Sequence, residues 1–219
     1  MRIPRNLQSA AVVAGLVLVA AGCGDRGGSA AAPSHSASAS FQAAAILWPA
    51  PPDPLERTVA AGLKPEPKEH VAYHVHAHLD VFVDGKPITV PAGIGINTDD
   101  PDVRRFDEPD GSVSYGGIEV CAKPCISPLH THHETGIIHT ESASSEPNTL
   151  GQFFIEWGVA LSDSCVGEYC SPKPIAFYVN GELYTGDPSA IELTDQKEIA
   201  IVIGTPPPEI PSTADFSKE

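Results

Sequence analysis

Methionine is almost missing from this chain: the only one is Met1. Once the leader is removed no thioether remains, which excludes a methionine-coordinated Cu(I) carrier and a blue-copper site with an axial methionine. Basic residues are scarce as well. Thirteen Lys and Arg stand against 28 Asp and Glu, for a formal charge of −15. Residues 1–22 hold Arg2 and Arg5 and no acid, so without them the charge is −17. Such a surface repels nucleic acid and anionic lipid headgroups, and no nucleic-acid partner is expected. The sequence shows no H-E-x-x-H, no phosphate-cradling glycine loop and no Ser-His-Asp arrangement, so none of the familiar catalytic signatures makes it an enzyme. Its 219 residues suit one folded domain with loose ends.

The longest apolar run, residues 10–21, follows Arg2 and Arg5 and ends in small residues. A permanent membrane helix needs about 20 apolar residues, so this run is too short and residues 1–22 read as an export signal. Val19-Ala20-Ala21-Gly22-Cys23 resembles the lipobox of bacterial lipoproteins, with Ala20 where leucine is commonest. The resemblance implies cleavage before Cys23 and thioether lipidation of Cys23, joined by palmitate. The exported protein would then be anchored to the outer face of the cell membrane by lipid, with no polybasic help. An ordinary signal peptide with an incidental cysteine is the alternative. Residues 24–40 are rich in Gly, Ser and Ala, and 41–67 are rich in proline around Trp48. Residues 23–69 therefore read as a lipidated, flexible and Pro-rich tether, with a helical turn at 54–61 and Trp48 able to lie on the domain.

Four further cysteines, Cys121, Cys125, Cys165 and Cys170, form an even set in an exported protein and read as two disulfides. Three pairings are possible. The local ones, Cys121 with Cys125 and Cys165 with Cys170, are expected; a thiolate at Cys121 or Cys125 just before His130 is the competing reading.

The domain is expected over residues 70–208. Residues 70–83 alternate strictly, with Val71, Tyr73, Val75, Ala77, Leu79, Val81 and Val83 on one side and His70, His74, His76, His78 and Asp80 on the other. A period of two over that length predicts a strand. Asp84-Gly85 and Asn180-Gly181 are preferred pairs for type I′ hairpin turns. The acidic stretch 97–117 lacks the spacing of a calcium loop and reads as a solvated surface loop. Leu150, Phe153, Phe154 and Trp157 recur at helical spacing after a Thr149/Gln152 capping box, and Gly158 ends that helix. Further strands follow at 175–179, 182–185, 191–193 and 198–203, and residues 209–219 read as a disordered tail. The expected fold is α+β, a mainly antiparallel β-sheet of hairpins with one short packed helix.

Four of the nine histidines fall within residues 128–141. Read as a hairpin turning through His133, Glu134, Thr135 and Gly136, this segment sets His130 opposite His139 and His132 opposite Ile137, so all three histidines share one face. A three-residue turn would send His139 to the other face. His-x-His on a strand places two imidazoles about 6.6 Å apart on one face, and both can meet one ion. His74, His76, His78, His130, His132 and His139 are the candidate metal ligands. Two of the first three would serve one ion, with the third as a supporting partner or a second site. His70 and His133 read as solvated, and Asp80, Glu134 and Glu141 either as partners of ligating histidines or as surface acids. Imidazole donors without thioether point to copper or zinc. The expected function is a transition-metal carrier, sensor or sequestering lipoprotein. A metal-dependent enzyme, hydrolase or oxidoreductase, with Glu134 or Glu141 shuttling protons, and an interaction domain braced by a metal are the alternatives.

Residues 74–85, residues 90–96, Leu129-His130-Thr131-His132, Gly136-Ile137-Ile138-His139, Thr149-Leu150-Gly151-Gln152-Phe153-Phe154 and Trp157-Gly158 together resemble a family of uncharacterised exported proteins of bacteria and archaea. The likeness spans about residues 70–206 and departs in the acidic loop and the Cys165–Cys170 insert. It implies a shared histidine core and no particular substrate.

Overall fold

A computed structural model of the chain describes residues 45–143, 145 and 147–218. The signal segment, Cys23 and residues 24–40 lie outside them. The described residues belong to one compact unit, α+β and dominated by strands. Among them no helix is long and apolar enough to cross a membrane.

In chain order the elements are α1 (Pro54–Ala60), β1 (Tyr73–Val83), β2 (Lys86–Ile88), β3 (Arg104–Asp107), β4 (Val113–Gly116), β5 (Leu129–His130), β6 (Ile137–Ser142), α2 (Leu150–Trp157), β7 (Cys165–Val166), β8 (Tyr169–Cys170), β9 (Ile175–Val179), β10 (Glu182–Tyr184) and β11 (Lys197–Ile203). The main sheet runs β10-β9-β11-β1-β6-β5, and β2 also pairs with β1. Every pairing in it is antiparallel except β1 with β11, which is parallel from Ala77–Lys197 to Val83–Ile203. β1 is central because β11 covers one edge, while β6 and then β2 share the other.

The alternation of β1 decides which side is dry. Ala77, Leu79 and Val81 are buried, and they join Ile199, Ile201 and Ile203 of β11 and Ile138 of β6 in one core. Onto that face α2 lays Leu150, Phe153, Phe154 and Trp157, as the helical spacing predicts. Burying each of these large side chains contributes about 1.5–3 kcal/mol. The capping box forms in full: Thr149 Oγ1 accepts from the Gln152 amide, and Gln152 Oε1 accepts from the Thr149 amide. Gly158 ends the helix with a left-handed φ of 76°. Opposed strand residues project to one face, so His74, His76, His78 and Asp80 are left on the opposite face of the sheet.

Three expectations change. Residues 45–69 are packed rather than flexible, with the expected helical turn at Pro54–Ala60 and Trp48 laid on the domain as expected. Trp48 stands edge-on to Trp157 at 5.7 Å and to Tyr169 at 6.3 Å, its carbonyl accepts from Trp157 Nε1 at 3.0 Å, and Glu66 bridges to Ile126. The aromatic surface of α2 extends the packed body back across the expected boundary at His70. Residues 209–218 return to the sheet rather than trailing away, with the Phe216 ring edge-on to His78 at 6.5 Å. The acidic stretch contains a two-stranded ribbon, β3 with β4, over a second small core of Ile96, Val103, Ile118, Ile126 and the Cys121–Cys125 disulfide. The second disulfide joins Cys165 to Cys170 across β7 and β8. Both local pairings are thus present, and Cys121 and Cys125 hold each other instead of offering a thiolate.

Candidate metal centre

The polar face of the sheet assembles the histidines by register. His130 on β5 lies opposite His139 on β6, and His139 lies opposite His76 on β1. Glu141, two residues along β6, lies opposite His74. Strand parity therefore places four imidazoles and a carboxylate on one side.

His132 arrives by a different route from the expected one. Beyond His130 the chain leaves β6, so His132 does not pair with Ile137. Thr131 exchanges backbone hydrogen bonds with Gly93 and Ile94, and the Tyr115 amide of β4 donates to the His132 carbonyl. In return His132 Nδ1–H donates to the Tyr115 carbonyl at 2.6 Å, which swings its Nε2 back to 3.0 Å from His130 Nε2. Gly136, at φ 84°, makes the return turn with the Leu79 carbonyl and the His78 ring too close to admit a Cβ.

The rings are in mutual contact. His139 is the hub: its centroid lies 4.4 Å from His76, 4.7 Å from His132, 5.2 Å from His130 and 6.3 Å from His74. His74 Nε2 is 2.9 Å from His76 Nε2 and 3.1 Å from Glu141 Oε1, which is 3.3 Å from His139 Nδ1. Glu69 sets Oε1 at 3.4 Å from His132 Nε2. Two overlapping groups in this cluster could hold a metal ion, His74, His76, His139 and Glu141, and His130, His132, His139 and Glu141, and a separate one is made by His78, Asp80 and Glu198; within each, the donor atoms lie within 4.8 Å of one another.

Their surroundings keep His130, His132 and His139 neutral. Burial, then the neighbouring His132 and His139, holds His130 well below the usual imidazole range. Burial also lowers His132. His139 falls to about 2, again through burial first and then the rings of His132, His76 and His74. Burial raises Glu69, assisted by the charge of Glu141. Neutral imidazoles with free lone pairs are the form that binds metal.

His130 and His132 show how the lone pairs are aimed. Carbonyl oxygens only accept, so His130 Nδ1 carries the proton it gives to the Ser127 carbonyl at 2.9 Å, just as His132 Nδ1 does for Tyr115. Both Nε2 atoms are then bare acceptors, 3.0 Å apart. Two acceptors at that distance repel unless a cation lies between them. Among the described residues His139 Nε2 and Glu141 Oε2 are buried with no hydrogen-bond partner, another sign of unmet demand for a ligand.

His78 does not join the cluster. Its ring turns to β11, where Nδ1 meets Glu198 Oε2 at 2.8 Å, while Nε2–H donates to the Thr135 carbonyl at 2.8 Å. Burial opposes protonation of His78, but the hydrogen bond and charge of Glu198 outweigh it and raise its pKa. The ring bridges β1, β11 and the 131–136 turn, and the His78–Glu198 pair braces the sheet. Asp80 lies beside it, 3.8 Å from Nδ1. His133 stands off the cluster, 6.5 Å from the His132 ring, and His70 faces Glu66 at 3.7 Å. Glu134 is absent from both groups, whereas Glu141 belongs to each. A further group, Asp100, Asp102 and Cys121, rests on a disulfide sulfur and is no thiolate site.

The sequence did not reveal Glu69, the Tyr115 carbonyl or the buried Glu198. Each is recruited by packing between distant segments, and only the two-residue parity of β1 and β6 could be read locally. Compared with protein-family models, curated proteins and solved structures, the chain matches none, so the geometry of the histidines alone carries the functional reading.

Proposed function

We propose that this protein is an exported lipoprotein, anchored through Cys23, that binds and sequesters copper(II) at the outer face of the membrane. One observation carries the reading. His130 and His132 have their Nδ1 protons fixed by backbone carbonyls and their Nε2 lone pairs converging at 3.0 Å, which is the arrangement by which a protein orients histidines onto a metal.

The spacing favours copper over zinc. With metal–nitrogen bonds of about 2.05 Å, cis donors at 90° stand about 2.9 Å apart and tetrahedral donors about 3.3 Å apart. The two histidine pairs, at 2.9 and 3.0 Å, fit the tetragonal geometry of Cu(II). All-imidazole donors with a carboxylate also suit Cu(II) better than Cu(I), which prefers sulfur. Burial supports holding over handing on: His130, His139 and Glu141 are buried and only His74 is exposed, so release requires the edge of the sheet to open.

Full-length protein recovered with the membrane fraction of copper-grown cells is expected to carry copper by elemental analysis. His130→Ala should fractionate identically but lose most of the metal. Equal copper in both proteins, or none in either, would contradict the reading.

A further inference from the structure

We propose that the cluster holds two metal ions side by side, bridged by His139 and Glu141, rather than one. The inference rests on the metal-binding reading above and goes further by fixing stoichiometry and ligand partition.

Three observations lead to it. The donors exceed what one ion can use: five imidazoles and Glu141 converge, with Glu69 at the rim, whereas Cu(II) and Zn(II) take four or five ligands of this kind. Next, the donors divide into two sets of four that share only His139 and Glu141. Each set brings its own His-x-His pair, His74 with His76 from β1 and His130 with His132 from the β5 side, and each pair already has its Nε2 atoms at cis-ligand distance, 2.9 and 3.0 Å. Finally, the two shared residues are the ones with a donor to spare. His139 uses Nδ1 toward Glu141 and leaves Nε2 buried without a partner, and Glu141 uses Oε1 toward His74 and His139 and leaves Oε2 buried without a partner. A carboxylate can give one oxygen to each ion, and the His139 ring can give one nitrogen to each once its remaining ring proton is released to solvent as the second ion binds, leaving a bridging imidazolate.

The position of His139 makes the same point. In register it sits between His76 and His130, with a strand on each side, and its ring stacks on His130 at 10° while meeting His76 at 77°. A single ion placed against the His74–His76 pair would leave the Nε2 lone pairs of His130 and His132 facing each other in the buried half of the cluster. Two ions satisfy both, and a bridging carboxylate offsets the repulsion between the ions, as in other two-metal sites. Glu69, beside His132, adds a further negative charge on that side.

The test is copper titration of the purified full-length protein, with elemental analysis and electron paramagnetic resonance on the same samples. Saturation at two Cu(II) per chain is expected, with an integrated spin well below two because bridged ions couple magnetically. The His74→Ala/His76→Ala and His130→Ala/His132→Ala double variants should each retain one copper with full, uncoupled spin. Asp80→Asn, which disarms the separate group around His78, should still bind two. Saturation of the wild type at one copper would overturn the two-ion proposal and leave the metal-binding reading intact, whereas no bound copper would sink both. Two ions with full uncoupled spin, or loss of one ion in Asp80→Asn, would place the second ion outside the cluster and also overturn the proposal. The wild-type stoichiometry and spin decide the matter even if a double variant fails to fold.

Discussion

Replacing His139 with alanine is expected to lower copper affinity by more than about 100-fold. Mutating a residue that merely orients a ligand already costs 10–100-fold, and among the described residues His139 is the one ring in contact with both histidine pairs. Competition against a chelator of known affinity measures the change. A second readout is thermal: copper at 100 times its dissociation constant should add about 2.7 kcal/mol to the wild type through mass action and almost nothing to His139→Ala. His133→Ala, which removes a ring outside both groups, should behave like the wild type. Equal affinities for the His139→Ala variant and the wild type would show that the hub is not a ligand.

The second large effect concerns Glu156, on the buried face of α2. Its side chain is fully buried, accepts a hydrogen bond from Ser127 Oγ at 2.6 Å through Oε1, and leaves Oε2 without a partner. Burial pushes its pKa up to about 8, against the partial opposition of Ser127. Because the folded pKa lies above the unfolded one, the folded state binds the extra proton. The associated stability is fully present below about pH 4.5 and is lost as pH rises through about 8, a change of roughly 5 kcal/mol over that window. Glu156→Gln keeps the Ser127 hydrogen bond and removes the ionisation. It should match the wild type near pH 4.5, exceed it by several kcal/mol at pH 8.5, and flatten the pH profile in denaturant unfolding. Parallel profiles for the two proteins would refute the assignment. Ser127 links this acid to the centre, since its carbonyl fixes the proton on His130 and its hydroxyl accepts from the Leu129 amide. Gly95 lies over the same spot, where any Cβ would run into the Leu129 carbonyl and Glu156 Oε2.

What could be read from the sequence follows from how locally each feature is determined. The strict alternation of β1 set its dry and polar faces. The opposition of His130 and His139 needs only an even register, and it holds although the connection is longer than a tight turn. The Thr149–Gln152 capping box and the aromatic stripe of α2 are equally local. Features set by distant partners were not legible. The parallel pairing of β1 with β11 joins residues about 120 positions apart, and no local pattern distinguishes it from another hairpin. The pairing of His132 depends on β4, hidden in a stretch whose acids suggested a loop. His78 carries the same His-x-His signature as its neighbours, but Glu198 on the parallel strand takes it. Glu156 has the spacing of an exposed helix residue until the Ser127 segment closes over it. Trp48 packs on the core as its place in the proline-rich arm suggested, but the partners that receive it, Trp157 and Tyr169, lie more than 100 residues away and could not be read locally.

The most direct test of the central claim is X-ray absorption at the copper edge of the loaded full-length protein. A shell of nitrogen at about 2.0 Å with the outer-shell scattering of several imidazoles is the result the copper-binding proposal predicts. A shell of sulfur, or of oxygen alone without imidazole scattering, would mean that the metal sits elsewhere and that the converging rings serve some other end.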